Sequence, residues 1–309
     1  MISSVEMMLE SKFLRTKDEI ELDKLEEEIH NNIIEMIKER EEKVMKGEKD
    51  GFGSDFLGLL LKAHHDANTS QRITVDDFVD ECKTFYFAGQ ESNNSFIAWI
   101  VLLLAIHTDW QEAARKEMGM VFNESLRLYP PVIGVIRKAE REVRVGKLIL
   151  PANLELCISN LALHHDPQIW GQDVNQFKPE RFSDGVAEAT KNSLAAFFHF
   201  GLRPRNCMGN NFAITEAKIT ISMILQLFSF TFSPAYVHLP FQLLTVHPHH
   251  GIQVILQPLS RIMSKTESSS EMRMYISLGM ESHTSSINKD ICFRVLKDLN
   301  SSTFVDLIV

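Results

Sequence analysis

Nowhere in this chain does an apolar run reach the length that a bilayer requires. The most apolar stretch, Phe96 to Ile106, is too short to span one and reads as a buried helix. No segment reads as a signal peptide or a membrane anchor. Cysteine is scarce: Cys82, Cys157, Cys207 and Cys292 stand far apart with no CxxC pair, which argues against a zinc site or a disulfide framework and suits a reducing compartment. Basic clusters are missing as well. With a net charge of −9 the chain offers nucleic acid no electrostatic footprint, so no nucleic-acid partner is expected. Internal repeats are absent.

What is present is ordinary globular composition. The 309 residues are 44% hydrophobic and 24% charged, enough for one large or two modest domains. Asp18 to Lys46 is highly charged with an apolar stripe of Ile20, Leu22, Leu25, Ile29, Ile33, Ile34 and Ile37, which predicts a long amphipathic surface helix. A coiled coil is the other reading of that stripe, but its heptads are not sustained. Asp55 to His65 predicts a short apolar helix, and residues 66–72 a polar loop. Thr74 with Asp77 three residues on predicts an N-cap, opening a helix from Val75 to about His107.

That helix contains Ala88-Gly89-Gln90-Glu91-Ser92. A glycine inside a helix costs about 1 kcal/mol relative to alanine, and close approach of a flat cofactor with a local opening of the hydrogen-bond ladder would supply a reason for it. Glu91 and Ser92 then offer an acid and an alcohol suited to relaying protons through water. A polar helix face is the plainer reading of the same five residues.

Thr108 to Met118 predicts another helix, and Gly119 with Met120 separates it from VFNESLRLYPP, where Glu124 and Arg127 share one helix face and can pair. From Pro130 the pattern turns to strands. Val143–Val145 and Leu148–Leu150 flank the hairpin signal Gly146-Lys147, and Leu154 to Ile158 alternates after Pro151. Arg137 reads as a surface arginine ahead of a strand. LALHHDPQIWG predicts a short helix and turn, with His164 and His165 structural. Further strands are expected at Phe228–Phe232, Phe241–Val246 and Ile252–Gln257, with His249 to Gly251 in a turn.

The chain is organised around Phe197 to Ala217. Gly201 to Pro204 cannot be regular helix, whereas after Met208 the apolar positions Phe212, Ala213, Ala217, Ile221, Ile224, Leu225 and Phe228 recur at helical spacing. Cys207 therefore sits just before a helix N-terminus, where unpaired N–H groups and the macrodipole favour an anion. Arg205 adds positive charge beside it. A thiolate so placed can attack a substrate or bind a metal; an attacking role finds no histidine in an obvious base motif.

Phe200, Gly201, Arg205, Cys207 and Gly209 resemble the haem-binding loop of the cytochrome P450 family, the haem-thiolate monooxygenases. AGQES resembles the family's oxygen-activation motif, Glu124 and Arg127 its ExxR pair, and Phe177 to Phe182 the segment whose arginine, here Arg181, joins that pair. The motifs occur in the family's order, and the likeness covers about residues 18–259. It implies a mainly α fold with a small β portion, the C-terminal part of the cytochrome P450 fold. It implies haem b as cofactor, with Cys207 the iron ligand, Arg205 and Arg137 holding the propionates, and Ala88, Gly89, Phe200 and Gly209 against the porphyrin.

Glu91 and Ser92 become the catalytic pair. The resemblance is to plant-type microsomal members that hydroxylate hydrophobic small molecules, with electrons from NADPH through a flavoprotein reductase, at the endoplasmic reticulum membrane. Arg203 stands where the family has its central glycine. The connection at Gly119 lacks the family's longer insert, and the family's membrane anchor and front portion are missing. Residues 1–259 are thus expected to form a partial catalytic domain and 260–309 a disordered tail. The alternative expectation is an inactive remnant that binds haem weakly or not at all.

Overall fold

The computed structural model describes residues 16–66, 68, 72–193, 195–202 and 204–259, with the backbone of 275–276. Arg203, Cys292, residues 1–15 and nearly all of the stretch after Leu259 lie outside the described residues. So do the expectations placed on them.

Two compact units divide the chain, 1–88 and 89–309. In the first, helix α1 (Lys17–Met45) starts on a capping box: Thr16 accepts from the Glu19 amide, and Glu19 reaches back to the Thr16 amide. The apolar stripe is covered only toward its end. Ile37 packs with Leu61 and Phe78, joined by Ile33 and Ile34, while Ile20, Leu22, Leu25 and Ile29 are exposed. Asp55 caps α2 (Phe56–His64) by accepting from Gly58 N, and Arg40 ties the two helices by donating to Asp55 and to the Phe52 carbonyl.

Helix α3 (Val75–Ile106) begins as the sequence indicates: Asp77 N donates to the Thr74 hydroxyl oxygen, and Thr74 N to Asp77 Oδ2. It continues as unbroken α-helix through Gly89, so the expected opening of its ladder is absent. A Cβ at Gly89 would meet nothing within 4 Å; with no neighbour to wedge the turn apart, the ordinary i→i−4 bonds persist. From Phe96 to Ala105 every residue is buried, as an element apolar all round must be.

That run is the core of the second unit. Packed around it are α4 (Asp109–Lys116), α5 (Gly119–Leu128), the long helix α9 (Asn210–Leu227) and strands β5 (Phe228–Phe232) and β8 (Ile252–Pro258). Buried Gln111 ties α4 to the sheet: its amide donates to the Leu104 and Phe230 carbonyls, and its oxygen accepts from Phe230 N. The corner between α4 and α5 falls on Glu117 and Met118. Gly119 and Met120 belong to α5, because Glu117 Oε1 accepts from Gly119 N and starts the helix there.

Strand β1 (Gly134–Lys138) pairs antiparallel with β4 (Glu155–Ser159), placing Arg137 inside a strand and not ahead of one. The β2 (Val143–Val145) and β3 (Leu148–Leu150) hairpin forms as its turn residues dictate. Short helices α6 (Asn160–His164) and α7 (Pro167–Trp170), a 3₁₀ turn at Pro179–Phe182 and α8 (Gly185–Ala189) follow. The strand expected over 241–246 is instead a hairpin, β6 (Pro240–Gln242) against β7 (Val246–Pro248), with the apolar Leu243 and Leu244 exposed at its turn. Beyond it, β9 (Tyr275–Ile276) pairs with β8, so these two residues of the tail join the sheet. No described helix is long and apolar enough to cross a membrane.

Candidate functional site

The loop before α9 is closed by its own backbone. Cys207 N donates to the Phe200 carbonyl at 2.7 Å and Arg205 N to the Leu202 carbonyl at 3.0 Å, folding the chain back on itself. The return needs Gly201, whose φ is +80° and whose added Cβ would lie 3.0 Å from the Arg205 carbonyl oxygen. Gly209 then caps α9 at the start of an 18-residue helix. Cys207 is a free, exposed thiol, and a Cβ on Gly209 would sit 4.0 Å from its sulfur.

Two apolar side chains that follow the thiol are solvent-exposed: Met208 is 93% exposed and Phe212 47%. Arg205 is exposed beside them. Half-buried Arg137 donates to the neighbouring Ile136 carbonyl at 2.9 Å. Neither arginine is ion-paired with a described carboxylate, which leaves both guanidinium charges available to an anion.

The α3 side of the site is fixed by four hydrogen bonds that the sequence does not disclose. Asn93, one residue past Ser92, donates its amide to Glu216 on α9, joining α3 to the helix that follows the thiol. Glu91 Oε1 accepts from the Thr245 hydroxyl at 2.8 Å. A turn further along, Ser95 and Trp99 both donate to the Val246 carbonyl. Glu91, Ser95 and Trp99 are four apart and share one helix face, so that face is clamped along 245–247. Ala88 closes the first unit and Gly89 opens the second.

Behind the thiol loop lies a buried ionic cluster. Arg127 makes a bidentate pair with Glu124 at 2.8 Å and 2.8 Å, both side chains fully buried. Its remaining donors go to the His164 and Gln176 carbonyls, and its guanidinium lies over the Trp170 ring. Arg181 stands 3.4 Å from Glu124 as an ion pair without hydrogen-bond alignment. It spends its hydrogen bonds on Trp170 O, Asp173 O and the Asp173 carboxylate. Hydrogen bonds from Lys178 Nζ and from Arg181 pull the Asp173 carboxyl down to about 2.

His164 carries the cluster into the loop: its Nε2 accepts from Phe198 N at 3.0 Å. Burial, with His199 and Arg127 adding positive neighbours, depresses His164 to about 3, and burial depresses His199 to about 4. Both rings are therefore neutral at physiological pH, and His164 is an acceptor, hence structural as its sequence context indicates.

A family model described as Cytochrome P450 matches residues 3–256. This chain belongs to the cytochrome P450 family. It is 53% identical over 270 residues to cytochrome P450 CYP749A22 of Panax ginseng, covering 81% of this chain and 52% of the relative. To the 7-deoxyloganic acid hydroxylase of Catharanthus roseus it is 39% identical over 274 residues, covering 80% of this chain and 52% of that protein. The chain thus spans about half the length of the curated relatives it matches. Among solved structures, the retinoic acid-bound cyanobacterial CYP120A1 superposes with a TM-score of 0.64 at 28% identity, over 74% of this chain and 55% of that one.

The residues present fit a haem group. One exposed thiol precedes a helix, Arg205 and Arg137 lack carboxylate partners among the described residues, exposed Met208 and Phe212 follow the thiol, and Gly89 leaves its helix surface open where a side chain would otherwise stand.

Proposed function

We propose that this chain is the haem-thiolate portion of a monooxygenase that hydroxylates hydrophobic small molecules, with residues 1–259 forming part of the catalytic domain. Cys207 would hold the haem iron through its sulfur, which the closed loop from Phe200 keeps ahead of α9, where amide donors favour thiolate. Arg205 and Arg137 pair with the propionates. Phe200, Gly209 and Gly89 bound the cofactor, the glycines by offering no side chain to a flat ring. When bound, haem b supplies insertion of one oxygen atom of O₂ into a C–H bond, with electrons from NADPH through a flavoprotein reductase. Glu91 and Ser92 hold and pass the protons that this reaction consumes. The name of the Catharanthus roseus relative, a hydroxylase, agrees in reaction class. Work at the endoplasmic reticulum membrane follows from the same family reading.

The observation that carries the proposal is the thiol itself: Cys207 is free and exposed, at the end of a turn that only Gly201 allows. An absorption spectrum of the haem-reconstituted protein, reduced under carbon monoxide, tests it. The red-shifted band of thiolate ligation is expected, and Cys207→Ala removes it. A spectrum without that band in the unaltered protein rejects the assignment.

A second reading, an inactive remnant with weak haem retention, is favoured by one specific observation. Apolar side chains beside the sulfur and at the β6–β7 turn stand in water, with Leu243 67% exposed. The same reconstitution separates the two, since a remnant binds haem substoichiometrically and yields no product.

A further inference from the structure

His247 is the one described histidine that faces the proposed catalytic acid. It lies on β7, two residues past Thr245, with Nδ1 4.0 Å from Glu91 Oε1, the same oxygen that accepts the Thr245 hydroxyl. Nδ1 is buried and has no hydrogen-bond partner, although the side chain as a whole keeps 15% exposure. The ring is thus divided: one nitrogen is shut inside beside a carboxylate, while another part of the ring still meets solvent. Phe241, opposite His247 in the β6–β7 pairing, holds the ring edge-on at 5.7 Å between centroids.

We infer that His247 and Thr245 are positioning residues for Glu91, Thr245 by orienting the carboxylate and His247 by resupplying its proton from solvent. The inference rests on the reading of Glu91 as the proton-holding acid. A carboxylate oxygen has two lone pairs, and the Thr245 hydroxyl occupies one of them. The other is open to Nδ1–H once the ring turns enough to shorten 4.0 Å to hydrogen-bond distance. Imidazole is suited to this because its two nitrogens can take a proton on one side as they release one on the other. In the step itself, the Nδ1–H bond breaks as an O–H bond forms on Glu91, while Nε2 takes a proton from a solvent hydronium ion, which leaves as water. Charge is conserved across the ring and no electrons are transferred. Tautomer exchange through water then resets the imidazole. A lone carboxylate at this place would have to be reprotonated through the interior, whereas this arrangement gives it a path along the exposed edge of the β6–β7 hairpin.

Two measurements on the full chain test the inference. In protein labelled with ¹⁵N-histidine, the His247 signals are those lost in His247→Phe. They are expected to report the Nδ1–H tautomer, reverting to Nε2–H in Glu91→Ala and partly in Thr245→Val. Finding Nε2–H in the unaltered protein, or no response to either substitution, overturns the contact. In reconstituted protein, His247→Phe keeps the packing against Phe241 but cannot carry a proton. It is expected to lower product formed per NADPH consumed by about tenfold, less than the roughly 10²–10⁴-fold of a directly acting acid–base group because His247 acts only through Glu91. His247→Gln, polar but unable to shuttle, should not rescue it. Unchanged coupling in both variants overturns the proton supply. Absence of the thiolate–carbon monoxide band in the unaltered protein is a failure of the haem assignment alone. The tautomer measurement needs no haem and still decides the contact.

Discussion

Asn93 on α3 and Glu216 on α9 are joined side chain to side chain across 123 positions of sequence. The bond links the turn that bears Glu91 and Ser92 to the second turn of the helix that follows Cys207. Asn93 is only 3% exposed, so its amide depends on Glu216 for satisfaction. Glu216→Ala strands a buried donor and should cost about 1–3 kcal/mol. Urea unfolding of Asn93→Ala, Glu216→Ala and the double variant measures it. A coupling energy below about 0.5 kcal/mol would mean that the contact does not hold the helices together.

Glu124→Ala removes the counter-charge from Arg127, which is 0% exposed and cannot reach water. Breaking one side of a buried pair typically costs about 3–5 kcal/mol, so the variant should lose folded yield before any chemistry is altered. Glu124→Gln, which can still accept from Arg127, should be milder. Normal unfolding midpoints in both variants, with only turnover reduced, would falsify the structural role.

Acid should weaken the second unit in two stages. His164 and His199 have folded values depressed to about 3 and about 4, so between those values and the ordinary histidine value of 6.5 the unfolded chain binds protons that the folded chain does not. Stability therefore rises with pH through this window and is lost as pH falls, at about 1.4 kcal/mol per pH unit for each fully titrating ring. Asp173, depressed to about 2, adds its loss only below its ordinary value of 3.8. Denaturant midpoints collected from pH 7 to pH 4 should slope downward, and His164→Gln should flatten the slope. A slope that is the same with and without His164 would exclude it as the source.

Gly89 and Gly201 should respond to alanine in opposite directions. At Gly89 the added methyl meets nothing within 4 Å, so helix propensity alone acts, and the haem-free chain gains up to about 1 kcal/mol. If a flat cofactor approaches that surface, the same methyl weakens haem uptake. At Gly201 the φ of +80° and a 3.0 Å approach to the Arg205 carbonyl make alanine unfavourable by about 1–2 kcal/mol. Thermal midpoints without haem, paired with haem titrations, separate the cases. Gly89→Ala with unchanged haem affinity would remove the cofactor as the reason for that glycine.

Much of this was legible in the residues. Periodicity located α1, α3 and α9, and Gly146-Lys147 located its hairpin, because these signals are local. The buried run from Phe96 to Ala105 and the pairing of Glu124 with Arg127 were equally readable. Strand β1 was not, since GVIRK does not alternate apolar and polar residues and becomes a strand only through pairing with β4. The Leu243-Leu244 pair read as strand interior because apolar runs suggest burial, yet both sit exposed at a turn. Gly89 suggested a broken ladder, but a glycine permits distortion without causing it. The partners of the site were hidden for a simpler reason: Thr245 and Glu91 lie 154 residues apart, and nothing in either segment names the other.

The segment from α6 to the 3₁₀ turn has only short turns of backbone bonding, and buried side chains tie those turns together. Arg127 and Arg181 donate to the carbonyls of His164, Gln176, Trp170 and Asp173, while the amides of Lys178 and Phe198 are held by Glu124 and His164. A segment held this way resists fraying residue by residue, because releasing the Lys178 amide uncovers the buried Glu124 carboxylate and releasing the Phe198 amide strands the buried His164 ring. In hydrogen–deuterium exchange the Lys178 and Phe198 amides should therefore open together with helix α5 and report the same opening free energy as that helix.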